Sequence, residues 1–97
     1  MKRIAVFPGS FDPITKGHES VIIRSLGLFD IIIVAVGVNS EKKYLFPLDQ
    51  RIQWLKEVFQ GYPQIEIDSY KGLTTEFCRS KNSTYILRGL RDRKAHV

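Results

Sequence analysis

The chain has 97 residues, 43% apolar and 26% charged, which fits a soluble globular protein with room for one domain, residues 1–97, and not two. Its formal charge of +5 is uneven: from Arg88 onward four bases face one acid, whereas the preceding residues carry eleven bases and nine acids. That distribution excludes a surface-wide basic field for nucleic acid but leaves a local anion site.

Ile4 to Phe7 is a short apolar run stopped by Pro8-Gly9, a buried strand running into a turn. After Gly17, Val21, Ile22, Leu26 and Phe29 recur at helical spacing. Ile31 to Val38 is apolar without alternation and rich in β-branched residues, as expected for a central parallel strand covered on both faces. A polar loop from Asn39 to Lys43 follows. Leu48, Ile52, Leu55 and Phe59 form a second helical stripe, with Asp49 at the positive end of the helix dipole. Trp54 and Val58 widen that stripe toward either the core or a subunit contact. Ile65 to Asp68 alternates like a more exposed strand, Leu73 to Lys81 can form a third helix, and Tyr85-Ile86-Leu87 is a fourth strand.

The order βαβαβαβ implies an open parallel α/β sheet of Rossmann-like type with right-handed crossovers. Cys78, the lone cysteine, excludes an internal disulfide and reads as a small buried apolar residue. The longest apolar run is too short to span a bilayer, and Pro8 to Asp12 interrupts any leader pattern. A cytoplasmic protein without a membrane partner is the expectation.

Ligands of such sheets bind beyond the carboxyl ends of the strands. The first of these ends carries Gly9-Ser10-Phe11-Asp12-Pro13-Ile14-Thr15-Lys16-Gly17-His18, with a helix starting at about Gly17. Small residues admit a ligand close to the backbone, and the helix start offers N–H groups to a phosphate. His18 in the first turn can face the same anion. Neither G-x-G-x-x-G nor G-x-x-x-x-G-K-S/T is present. On composition alone, the same residues also read as a plain turn with His18 capping a helix.

Gly9 to Pro13 followed by Thr15-Lys16-Gly17-His18 resembles the T/H-x-G-H signature of the nucleotidyltransferase superfamily. The form with threonine first resembles the phosphopantetheine adenylyltransferase family. Asn39 to Lys43, Phe46-Pro47-Leu48-Asp49-Gln50-Arg51 and Ile86-Leu87-Arg88-Gly89-Leu90-Arg91 extend the resemblance from about residue 2 to residue 91. It implies transfer of the adenylyl group of ATP to 4′-phosphopantetheine, giving dephospho-coenzyme A and pyrophosphate.

The resemblance also implies roles. His18 would stabilise the α-phosphate, and Ser10, Lys42, Thr74 and Arg88 would bind the acceptor substrate. Ser10, Phe11, His18, Gly89, Leu90 and Arg91 would hold the nucleotide. Mg²⁺ would arrive on the ATP phosphates, with no metal ligand supplied by the chain, and a hexamer is the family's assembly. Plainer readings stand beside these: Lys42 solvated in its loop, Thr74 capping the third helix, Arg88 in a surface ion pair.

Agreement stops after Arg91. Residues 92–97 depart from the family, whose acidic nucleotide contact and downstream I-S-S-T-like segment have no counterpart here. These 97 residues are therefore expected to run the full reaction slowly. Two other readings stand: another nucleotidyltransferase such as a cytidylyltransferase, against which Thr15 and Arg88 to Arg91 count, and a non-catalytic nucleotide- or nucleic-acid-binding module.

Overall fold

A computed structural model describes residues 2–83 and 85–87. Arg88, Gly89, Leu90, Arg91 and the tail 92–97 lie outside them. Four strands and three helices alternate: β1 (Ile4–Gly9), α1 (Lys16–Arg24), β2 (Ile31–Val38), α2 (Leu48–Val58), β3 (Ile65–Lys71), α3 (Thr74–Ser80) and β4 (Tyr85–Ile86). The strands form one parallel sheet in the order β3-β2-β1-β4. The chain winds outward from β1 to β3, then returns to the opposite side of β1. The winding therefore reverses between β1 and β4, the place where open α/β sheets form their ligand crevice.

Alternation along β2 supplies both faces of the core, as expected of a fully covered strand. Ile32, Val34 and Val36 join Phe7, Phe11, Ile22, Leu55 and Phe59 beneath α1 and α2. Ile33 and Ala35 join Val6 and Cys78 beneath α3, with Tyr70 and Phe77 packed against them. Cys78 is buried, and burial pushes its thiol pKa up, so it behaves as the small apolar residue its surroundings imply.

Several boundaries differ from the sequence expectation. β1 does not stop at Phe7 but continues through Pro8 and Gly9, opposite Ala35 and Val36 of β2. The N–H of Leu87 donates to the Val6 carbonyl, so Val6 faces β4. Pro8 lies two residues on and lacks the N–H that the next rung toward β4 would use, while the edge shared with β2 is unaffected. α1 begins one residue earlier than Gly17 and ends at Arg24, so Leu26 packs on the core from a turn and Phe29 from the loop after it, and neither from a helix. Two features stop it there. The Ser25 hydroxyl donates to the Val21 carbonyl at 2.8 Å, and Gly27 follows, a poor helix former. β3 runs on to Lys71, three residues beyond the alternating stretch, because β2 offers it partners as far as Val38.

Candidate functional site

The carboxyl ends of β1, β2 and β3 open into a cavity of about 310 Å³ lined by Pro8, Gly9, Ser10, Gly37, Val38, Asn39, Lys42, Tyr44, Tyr70 and Gly72. Two expected substrate residues, Ser10 and Lys42, thus share one cavity although they come from different loops. Thr74 is not in its wall. Its hydroxyl lies 2.7 Å from that of Tyr70, which is in the wall. Thr74 does not cap α3 either: it is the first helical residue, Leu73 occupies the capping position, and no side-chain cap forms. Arg88, Gly89, Leu90 and Arg91 lie outside the described residues.

The loop after β1 is shaped by Phe11. Its ring is 2% exposed and packs 5.9 Å from Phe7 and edge-on to the His18 ring at 5.0 Å. Its backbone has φ of 47°, an uncommon conformation for a bulky residue, held here because the buried ring over-determines it. Gly9 leaves the room. A β-carbon there would stand 3.1 Å from the Phe11 ring, so the close approach that the small residue permits is to this ring. The whole residue, backbone included, is thus withdrawn from solvent, and Phe11 is not in the cavity wall.

His18 occupies the third helical position of α1 and closes a reciprocal cap. The His18 N–H donates to the Thr15 hydroxyl at 3.2 Å, and the Thr15 N–H donates back to Nδ1 of His18 at 3.2 Å. Histidine here does what glutamate or glutamine does in the usual capping box. The cap and the catalytic candidate are one residue. Because Nδ1 accepts from a backbone N–H, the neutral ring carries its proton on Nε2, a donor.

A second clamp joins this loop to the one ahead of α2. The Asp12 carboxylate accepts the N–H groups of Leu45 and Phe46, the latter at 2.8 Å. From below, Arg51 donates to the Ser10 carbonyl at 2.9 Å and to the Phe46 carbonyl at 3.0 Å. Its guanidinium also lies 4.2 Å from the centre of the Tyr44 ring. The Tyr44 hydroxyl in turn accepts the Asn39 N–H at 2.9 Å. Across the cavity, a β-carbon at Gly37 would stand 3.3 Å from the Tyr70 hydroxyl, so glycine there leaves room for that ring.

Asp12, Tyr44, Arg51 and Tyr70 were not singled out as site residues by sequence reasoning. Arg51 left a usable trace. It lies three residues after Leu48 and four before Leu55, within the apolar stripe, and a charge there signals a buried polar contact. Among the described residues no cluster of three or more histidine, cysteine, aspartate or glutamate side chains could hold a metal ion. Nor is any helix among them long and apolar enough to cross a membrane.

Residues 6–93 match the family model described as cytidylyltransferase-like. The chain is 54% identical over 92 residues to the phosphopantetheine adenylyltransferase of Christiangramia forsetii, covering 95% of this chain and 60% of that protein. It is 52% identical over 90 residues to that of Flavobacterium psychrophilum, covering 93% and 60%. The relative from Leptospira biflexa is 52% identical over 91 residues, covering 94% and 57%. The chain thus spans about 60% of the length of the curated relatives it matches. Among solved structures, the NadR protein in complex with NAD and AMP-PNP superposes with a TM-score of 0.69 at 18% identity, covering 91% of this chain and 31% of that one. A bifunctional NMN adenylyltransferase/ADP ribose pyrophosphatase from Francisella tularensis gives 0.65 at 24% identity, covering 91% and 32%. These two likenesses bear out the Rossmann-like α/β fold. With its model matched along nearly the whole length, the chain belongs to the cytidylyltransferase-like family.

Proposed function

We propose that this chain carries the acceptor-binding and adenylyl-transfer residues of a phosphopantetheine adenylyltransferase. The observation that carries this reading is the meeting of Ser10 and Lys42 in one cavity, in a chain 54% identical to an enzyme of that name; His18 is not in that cavity's wall. In this reading a phosphate oxygen of 4′-phosphopantetheine attacks the α-phosphorus of ATP. The bond from that phosphorus to the bridging oxygen breaks, and pyrophosphate leaves. The attacking oxygen is already ionised, so no general base is required. The task left is to bring two polyanions together and stabilise charge at the α-phosphate.

The residues suit that task. Lys42 neutralises the acceptor phosphate and Ser10 hydrogen-bonds it. Thr74 acts from the rim through Tyr70, and Arg88 completes the acceptor site. The Ser10 and Phe11 backbone, with Gly89, Leu90 and Arg91, holds the nucleotide. His18 donates from Nε2 to the α-phosphate as charge develops. Mg²⁺ belongs to this reading as an ion brought by the triphosphate. Both Asp12 oxygens are taken by backbone N–H groups, which fits a site that supplies the ion no carboxylate. The ion would add positive charge where the pyrophosphate departs. A cytoplasmic setting and a hexameric assembly are proposed on the family resemblance.

Parallel titrations with ATP, CTP and a single-stranded oligonucleotide test the reading. ATP is expected to bind at least about tenfold more tightly than CTP, a difference of one or two hydrogen bonds. Preference for CTP would favour a cytidylyltransferase. Steeply salt-dependent binding of the oligonucleotide in place of ATP would favour a nucleic-acid module.

A further inference from the structure

Arg51 is 2% exposed, yet among the described residues no carboxylate lies within 4.0 Å of its guanidinium. A buried charge is costly unless hydrogen bonds or a counter-charge offset it. Here the offset comes from two carbonyls, Ser10 and Phe46, and the face of the Tyr44 ring. Such an arrangement is poorly explained by the packing of α2 alone, where leucine would serve. It is better explained by what the Ser10 carbonyl belongs to. That carbonyl and the Phe11 N–H are the two ends of one peptide group.

We infer that Arg51 is a positioning residue that orients and polarises the Ser10–Phe11 peptide, making the Phe11 N–H a stronger donor to a nucleotide phosphate. Three observations support it. The guanidinium donates to the Ser10 carbonyl, and hydrogen bonds in series strengthen one another. Among the described residues the Phe11 N–H has no acceptor although the whole residue is 2% exposed, and a buried donor without a partner is costly unless a ligand supplies one. Finally, the φ of 47° at Phe11 sets the direction of that peptide, and the bond from Arg51 fixes its far end. Tyr44, stacked on the same guanidinium, carries the effect into the cavity wall. Lysine cannot replace the planar fork that reaches two carbonyls and a ring face at once.

This inference rests on the nucleotide-binding reading above, and its test separates the two. Amide ¹H–¹⁵N spectra of the chain, Arg51→Lys and Arg51→Met are recorded without ligand and during titration with ATP. In both variants the ligand-free Phe11 amide proton is expected to move upfield while amides of β2 and α1 hold their positions. ATP affinity is expected to fall by about tenfold, the loss of one charge-assisted contact. If Arg51→Met does not fold, Arg51→Lys decides. A ligand-free Phe11 resonance unchanged in a folded variant overturns the inference, as does ATP affinity within about twofold of the parent chain. Unfolding of both variants also overturns it, since Arg51 would then only prop the fold. A parent chain indifferent to ATP fails the functional reading instead, and the ligand-free Phe11 shift still decides the role of Arg51.

Discussion

His18 caps α1 and, in the proposed function, also stabilises the α-phosphate; the two roles separate by measurement. As a cap it satisfies the Thr15 N–H, a contribution to stability of about 0.5–2 kcal/mol. As a donor, in the proposed function, it would meet charge that develops only in the transition state. His18→Ala is therefore expected to lower turnover by about 10²–10³-fold while altering ATP affinity little. Pyrophosphate release and direct ATP titration on the same preparation check this. Loss of ATP affinity equal to the loss of rate would reduce His18 to a ground-state contact or a cap. Sequence reasoning reached His18 by both routes, cap and anion contact, and the structure shows the cap. It reached Phe11 only through resemblance, because nothing in composition says that a loop phenylalanine turns inward. That outcome needs the ring of His18, the ring of Phe7 and the space at Gly9 together.

At the scale of the elements, β3 is one of the two edges of the sheet among the described strands, and one ion pair ties it to α3. Lys81, capping the end of α3, lies 2.9 Å from Asp68. Partial burial pushes the Asp68 pKa up, but the Lys81 hydrogen bond, the Ser69 N–H and the lysine's charge outweigh it, so the carboxyl titrates below its ordinary value. A lowered folded pKa means stability that is present above the unfolded value and lost as pH falls through the folded one. Both partners are more than a third exposed, so the pair contributes only about 0.2–1 kcal/mol. Asp68→Asn should lower the denaturation midpoint slightly at pH 7, and the gap should close as the pH falls below the ordinary carboxylate range. A gap that persists in acid would assign the effect to packing. The elements were the most legible level of the sequence, because the periods of 2 and 3.6 report burial directly. Their ends were less so. β1 outran Phe7 because one neighbour sufficed to carry Pro8 and Gly9, and α1 fell short because a serine hydroxyl competed for the Val21 carbonyl.

At the scale of the molecule, sheet order decides which loops meet. The sequence listed strands in succession but not that β1 stands between β2 and β4, which follows only when the winding reverses. That order sets Ser10, after β1, beside Lys42, after β2, with β4 itself on the other flank of β1. The partners of the Asp12 and Arg51 clamp were hidden for a related reason: all but the Phe46 carbonyl are backbone groups 33 to 41 residues away, outside any local pattern. In the proposed function the Ser10–Lys42 cavity reads the phosphate of phosphopantetheine. Titration calorimetry of the chain with 4′-phosphopantetheine and with pantetheine, which differ only by that phosphate, tests it most directly. The phosphorylated form should bind at least about tenfold more tightly, with the advantage shrinking as salt rises. Equal affinity for the two would contradict a phosphate-binding role for this cavity.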